Sequence, residues 1–208
     1  MKNNNFKDII LNRQSIKEYD KTVKIKHDEL NEMLELAMSA PSAVNFQPWR
    51  FLVIDSEEGK EKLSKFVQFN TVQCATSSAM ILVMADKEYY NLGEEIYSKD
   101  VELGYMPQEI KDQILKPRVD QYKNFEPQKA LHSVALECGL VSMQFMLVAR
   151  SYGYDTNPMS GFDGEDILKA FDIDGKRFLP ALMISIGKKV KEGNKTSRFG
   201  AKEFVQYK

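Results

Sequence analysis

The apolar positions change period several times along the first third of the chain. Phe6–Leu11 predicts a short amphipathic helix, interrupted by Asn12-Arg13-Gln14-Ser15. Ile16–Asp20 reads as extended, and Thr22–Lys26 leads to a new helix start at Asp28. From there Leu30, Met33, Leu34, Ala37 and Met38 fall at i, i+3, i+4, i+7 and i+8, the apolar stripe of a helix. Pro41 and Pro48 then make Ala40–Ile54 an ordered turn rather than a helix end, since proline carries no N–H for a regular ladder. Arg50–Ile54 leaves that turn as a strand. Glu57–Phe66 reads as a charged surface helix, and Ala79–Met84 as a strand apolar on both faces.

Residues 86–128 differ in kind. They are rich in charge and tyrosine, contain Pro107, Pro117 and Pro127, and show only short helical patterns such as Gln108–Leu115. That marks an excursion from the core, a lid or a helical insertion. Ala130–Tyr152 is a long helix, apolar nearly all round, that belongs in a large core or at a subunit interface, with Phe145 at an inward position. It stops at Gly153. Tyr154–Asp163 reads as a turn-rich loop, with Asp163 capping a helix through Phe171. Asp174-Gly175 is a turn, Ala181–Gly187 a second buried strand, and the polar tail closes on a strand-like Phe204–Tyr207. No repeat or linker divides the chain, so the expectation is one domain over residues 1–208, with 188–208 as its tail.

Composition narrows the function classes. A chain of 208 residues that is 43% hydrophobic can build a real core. Its 29 basic and 30 acidic side chains balance, which favours neither a nucleic-acid nor a membrane partner. The N-terminus is polar, unlike a signal peptide, and polar residues interrupt even Leu131–Arg150, so no membrane span is expected. Cys74 and Cys138 sit in apolar-leaning settings and read as buried thiols in a reducing cytoplasm.

Three common constellations fail. The eleven glycines contain no G-x-G pair, so there is neither a dinucleotide fingerprint nor a phosphate loop; a bound phosphate must be held by side chains. His27 and His132 stand far apart without clustered cysteines or carboxylates, which argues against a metal site. Cys138 and His132 lie on different faces of one helix, so they do not form a nucleophile–base pair. Two features remain. Arg13-Gln14-Ser15-Ile16-Lys17 places two cations and a hydroxyl where they can grip a phosphate, or simply form a solvated turn. The segment Ala40–Trp49 offers amides, a hydroxyl and flat rings, a surface suited to a planar hydrogen-bonding ligand or to a packed connection.

Taken together, RQSIKEYD at 13–20, APSAVNFQPWRFLVI at 40–54, Asn70, YGYDTNPMSGFD at 152–163, LPALMISIG at 179–187 and Arg198 resemble the FMN-dependent nitroreductase family, from residue 9 to the tail and in the expected order. The resemblance implies an α+β fold with an antiparallel-cored mixed sheet flanked by helices. It also implies an intertwined homodimer with C-terminal strand exchange and an FMN in each of two clefts between the chains. Residue by residue, it places Arg13, Ser15 and Lys17 on the FMN phosphate and pyrimidine edge, Gln14 beside them where many members carry arginine or histidine, and Pro41, Ser42, Ala43, Asn45 and Gln47 on the flavin of the partner chain. Asn70 approaches the middle of the ring, and Met159, Ser160 and Gly161 face its opposite side, Ser160 standing where several members have glutamate. Arg198 matches a tail arginine on the phosphate, and Lys195 lies close to a second basic position.

The implied activity is that of an NAD(P)H-dependent flavin oxidoreductase. NADH or NADPH gives hydride to FMN, and a nitroaromatic, quinone or similar electron-poor acceptor takes the reducing equivalents. The residues carry no acid–base or nucleophile constellation, in keeping with chemistry supplied by a cofactor that Lys17 tunes. The alternative is a flavin-binding sensor or partner protein without turnover.

Overall fold

A computed structural model describes residues 2–208. Four strands form one sheet in the order β1-β2-β4-β3: β1 is Trp49–Ile54, β2 Ala79–Asp86, β3 Asp155–Met159 and β4 Phe178–Gly187. All three pairings are antiparallel. The only parallel contact among the described residues is an isolated bridge from Ser15 to Thr156. The expected mixed sheet is therefore antiparallel throughout its strands.

β2 shows why the sheet needs cover on both sides. Every one of its residues is buried, and successive side chains point to opposite faces. Ala79, Ile81, Val83 and Ala85 pack into one core with Met33 and Ala37 of α2 (His27–Met38) and with Val141 and Phe145 of α7 (Pro127–Ser151). Met80, Leu82 and Met84 pack into a second core with Leu63 of α3 (Glu57–Ser64) and Ile167 of α8 (Gly164–Ala170). At about 1.5–3 kcal/mol for each fully buried aliphatic side chain, these two layers supply most of the drive for folding. Pro180 interrupts the ladder: Val83 pairs with Leu182 but Met84 with Pro180, a one-residue bulge where proline has no N–H to give.

Several expectations change. Asp155–Met159 is a strand rather than part of a loop, because its polar residues Asp155, Thr156 and Asn157 are buried by β4 and by the N-terminal segment beside it. Asp163 precedes α8 but makes no side-chain cap; its carboxylate accepts from Gln68 Nε2 at 3.0 Å instead. The segment 86–128 folds into α5 (Gly93–Glu102) and α6 (Gln108–Lys123), the latter running through Pro117 to Lys123. The carbonyl deprived of a donor by Pro117 is that of Gln113, which faces solvent. Sequence pattern gives no sign of α4 (Thr71–Thr76). Met38 ends the α2 stripe exposed. The tail carries a short helix, α9 (Ala201–Phe204), and no strand at Phe204–Tyr207.

By length and composition α7 is also apolar enough to span a membrane, contrary to the expectation from its interrupting polar residues. Packing explains one side of it, since it lies across all four strands and along α2. Phe145 belongs to this inner side. Leu131, Leu136, Leu140 and Met143 form an exposed outer edge.

One ion network closes the end of the sheet. Asp86, fully buried, accepts from Arg50 Nη2 at 2.9 Å and from Arg177 Nε and Nη2 at 2.9 and 2.8 Å. Burial pushes the Asp86 carboxyl up, but bonds from Arg177 and the Glu88 amide and the Arg50 charge outweigh it, leaving it below the ordinary carboxylate range. Its contribution to stability is therefore complete above the unfolded-chain value of about 3.9 and lost as pH falls from there toward the lower folded value. Asp86→Asn should cost about 2 kcal/mol in urea unfolding at neutral pH, a modest figure because both arginines keep some solvent, and should flatten the acid limb of the stability curve. Wild-type unfolding midpoints at both neutral and acid pH would show that the network holds nothing together.

Candidate functional site

The extended segment after α1 (Phe6–Asn12) runs along β3, with the Ile16 N–H donating to the Thr156 carbonyl at 3.1 Å. Ile16 is buried while Ser15 and Lys17 on either side of it are exposed, the alternation of an extended chain, which ends before the buried Tyr19. Lys17 opens onto a cavity of about 650 Å³ shared with Asn70, Met159, Ser160 and Gly161, a size that fits a cofactor-scale ligand. Asn70 stands at the head of α4 and ties the cavity wall together: its Nδ2 donates to the Gly161 carbonyl at 3.0 Å and its Oδ1 accepts from Gln73 Nε2 at 3.1 Å. Gly161 is small where space is short, since a Cβ there would stand 3.3 Å from Gln68 Oε1. Met159 is buried and Ser160 exposed, so the loop offers a thioether from below and a hydroxyl at the rim.

Upstream, Arg13 ends α1 with its Nη1 buried and without a hydrogen-bond partner among the described residues. A guanidinium nitrogen removed from water and left unpaired is costly, and an anion satisfies it. Gln14 is directed elsewhere: its Oε1 accepts from the Gly193 N–H at 2.8 Å and so fastens the tail to this segment. Gly193 is required at that crossing, because a Cβ would lie 2.8 Å from the Ser15 carbonyl. The tail brings Lys191 and Asn194 to the cavity. Lys195 and Arg198 are not brought there; both are exposed, and Arg198 Nη1 donates locally to Thr196 Oγ1 and the Ser197 carbonyl. Sequence reasoning missed Gln73, Lys191 and Asn194. Gln73 depends on the unrecognised α4, and the other two sit in a polar tail whose path is set by contacts to Gln14, Glu18 and Tyr19.

The second set of residues lies elsewhere. Ala43–Asn45 is a single 3-10 turn leading into β1, the edge strand opposite β3. Two strands separate β1 from β3, a span of about 14 Å at the usual spacing. Asn45 and Gln47 line a different cavity, of about 890 Å³, with Trp49, Arg50 and helix α5. Val44, Asn45 and Gln47 all have positive φ, at 50°, 59° and 48°. The turn is tied by the Gln47 N–H donating to Ser42 Oγ at 3.0 Å and by Gln47 Nε2 donating to Asn45 Oδ1 at 3.2 Å. Beneath it, burial pushes the Glu137 carboxyl up against the opposing pull of the Ala43 amide and the Ser133 hydroxyl. Pro41 is exposed at the start of the segment. Within one chain, then, Lys17, Asn70 and Met159–Gly161 line one cavity at the β3 edge with Ser15 bridged to Thr156 nearby, and Pro41–Gln47 do not join them.

Comparison with known proteins gives a consistent result. A family model described as the Nitroreductase family matches residues 10–188. The chain is 48% identical over 208 residues, 100% of both proteins, to "Putative NAD(P)H nitroreductase YdgI" of Bacillus subtilis (strain 168). It is 37% identical over 201 residues to the CLA biosynthesis enone reductase of Lactiplantibacillus plantarum, covering 96% of this chain and 93% of that one. A crystal structure of an Exiguobacterium sibiricum 255-15 protein in complex with FMN aligns with a TM-score of 0.97 at 43% identity, over 100% of this chain and 99% of that chain.

The state of Arg13 leads to a prediction about the ligand-free protein. Arg13→Met keeps the apolar stem and removes the unpaired cation, so stability without ligand should hold or rise by about 1 kcal/mol. A fall of that size or more in urea unfolding would make the guanidinium a structural group rather than a ligand-binding one.

Proposed function

Because the chain belongs to the nitroreductase family, we propose that it is an FMN-dependent oxidoreductase that passes reducing equivalents from NAD(P)H to an electron-poor acceptor such as a nitroaromatic or quinone. The observation that carries this reading is the buried, unpaired Arg13 Nη1 at one end of an extended segment whose other end, Lys17, enters the cavity beside Asn70 and Gly161. That is a phosphate-to-ring polarity along a single strand. Bound FMN would supply the hydride and electron chemistry.

The chain's own residues bind and orient. Arg13 and Ser15 hold the phosphate, and Lys17 sets its ammonium against the pyrimidine edge, where a cation favours the negatively charged reduced form. Asn70 and the Met159–Gly161 loop stand against the ring, with the Ser160 hydroxyl in place of a carboxylate. Gln14 acts at one remove by holding the tail, on which Lys191 and Asn194 reach the site and Lys195 and Arg198 close toward the phosphate when the tail is engaged by a second chain.

A homodimer completes the site. The strip Pro41, Ser42, Ala43, Asn45 and Gln47 lies at the opposite sheet edge from the cavity, so it serves the cofactor of a partner copy. The exposed leucines of α7 supply the apolar face between the copies, and the C-terminal tails exchange. An enone is a second acceptor class, favoured by similarity to the enone reductase of L. plantarum. The two buried free thiols fit a reducing cytoplasm.

Purified protein should be yellow, run at twice its 23.9 kDa chain mass, and lose its colour anaerobically on addition of NADH or NADPH. A colourless protein with no affinity for FMN overturns the reading, and a yellow protein that neither nicotinamide bleaches is a flavin sensor. Lys17→Met should retain FMN while its reduction potential falls and its reduction by NAD(P)H slows. A potential equal to wild type removes Lys17 from the role of tuning residue.

A further inference from the structure

Three non-glycine residues in left-handed conformation within four positions is a costly arrangement. Each is unfavourable for a residue with a Cβ, and Val44 is the least suited because its Cβ is branched. Such strain persists only where the surroundings over-determine it. Here two clamps do so, and both come from outside the segment. The Tyr97 O–H, from α5, donates to the Val44 carbonyl at 3.0 Å. Arg118 Nη1, from α6, donates to the Tyr97 oxygen at 3.3 Å and so points the tyrosine proton at Val44. On the other side Arg50 Nη1 donates to the carbonyls of Gln47 at 3.0 Å and Trp49 at 2.7 Å, while its Nη2 is held by buried Asp86.

Between the clamps the Phe46 ring is the anchor. It is fully buried, with the rings of Tyr89, Tyr97 and Tyr122 at centroid distances of 6.2, 5.7 and 5.4 Å. The start of α5 fits it so closely that a Cβ on Gly93 would stand 2.9 Å from the Phe46 ring. Every one of these tyrosines and Arg118 comes from residues 86–128. The strip itself leaves only Pro41 and Asn45 exposed, with Gln47 half-buried.

We propose that residues 86–128 are a brace for the Ser42–Gln47 strip, with Tyr97 and Arg50 as positioning residues that fix the Val44 and Gln47 carbonyls and thereby aim the Asn45 and Gln47 side chains at the cofactor of the second copy. The proposal rests on the reading of the strip as a flavin-binding element. Its own content is that the excursion, whose helix α5 also lines the cavity beside Asn45 and Gln47, holds the backbone of the strip and is not a cover for the Lys17 cavity of its own chain. Tyr97 is a positioning residue because it acts through the strip, by the Val44 carbonyl and the Phe46 ring.

The test is Tyr97→Phe, which deletes one hydroxyl from an otherwise intact ring cluster. In the ligand-free protein, amide exchange at Phe46 and Gln47 should accelerate severalfold while amides of β2 keep their protection. In FMN titrations followed by flavin fluorescence, the dissociation constant should rise about three- to tenfold, the effect of one lost hydrogen bond. In an Asn45→Asp/Gln47→Glu background, where both amide donors of the strip are gone, Tyr97→Phe should add little further loss, because the changes act through one element. Unchanged exchange at Phe46 and Gln47 overturns the brace whether or not FMN binds. Equal loss of affinity in both backgrounds also overturns it, since Tyr97 then acts on general stability. Failure of the wild-type protein to bind FMN defeats the assigned site instead, and the exchange measurement still decides the brace.

Discussion

The constraint on which this molecule depends is that β2 is covered on both faces. A strand with no solvent face must have a helical layer on each side, and the alternating residues of β2 divide the apolar interior into two separate cores. That division decides where function can sit. The faces are occupied, so ligand-binding residues are left to the two edges of the sheet and to the loops that leave it. The cavity with Lys17 and Asn70 forms at the β3 edge, and the strained strip forms at the β1 edge. The separation of the two sets follows from the layer architecture itself.

Much of this was legible in the chain, and the reasons are particular. Met80, Leu82 and Met84 alternating with Ile81 and Val83 make a run apolar at every position, which admits few readings other than a two-faced strand. The stripe Leu30–Ala37 reports α2 because helical burial repeats in sequence. Asp155–Met159 escaped because its burial is polar: Thr156 and Asn157 are enclosed by partners far away in sequence, and no local pattern encodes that. α4 has a start signal in Asn70 but spans only Thr71–Thr76, too few residues for an apolar stripe to repeat. For the site, the basic residues Arg13 and Lys17 stood out by type. Lys191 and Asn194 could not, since their position depends on contacts between the tail and residues 14–20 that are distant in sequence.

The ionic and aromatic elements share one task. Asp86 gathers Arg50 and Arg177 at the end of the sheet, and the tyrosines of residues 86–128 surround Phe46 a short distance away. Both groups meet at the strip. In its proposed role the strip presents polar side chains to another molecule and cannot stabilise itself by burying them, and its backbone is held from behind by groups whose own positions are fixed by burial. The ordering cost is then met on folding, before any ligand arrives.

The two edges of the sheet differ in a way that bears on growth. The β3 edge is closed to further strands: Pro158 has no N–H to offer, and the chain around Ser15 already lies against Thr156. On the outer side of β1 no strand of the described residues is paired. A sheet with one blocked side and one open side can lengthen by a single addition and then stop. An addition at the β1 side therefore ends edge-to-edge growth rather than propagating it into a filament.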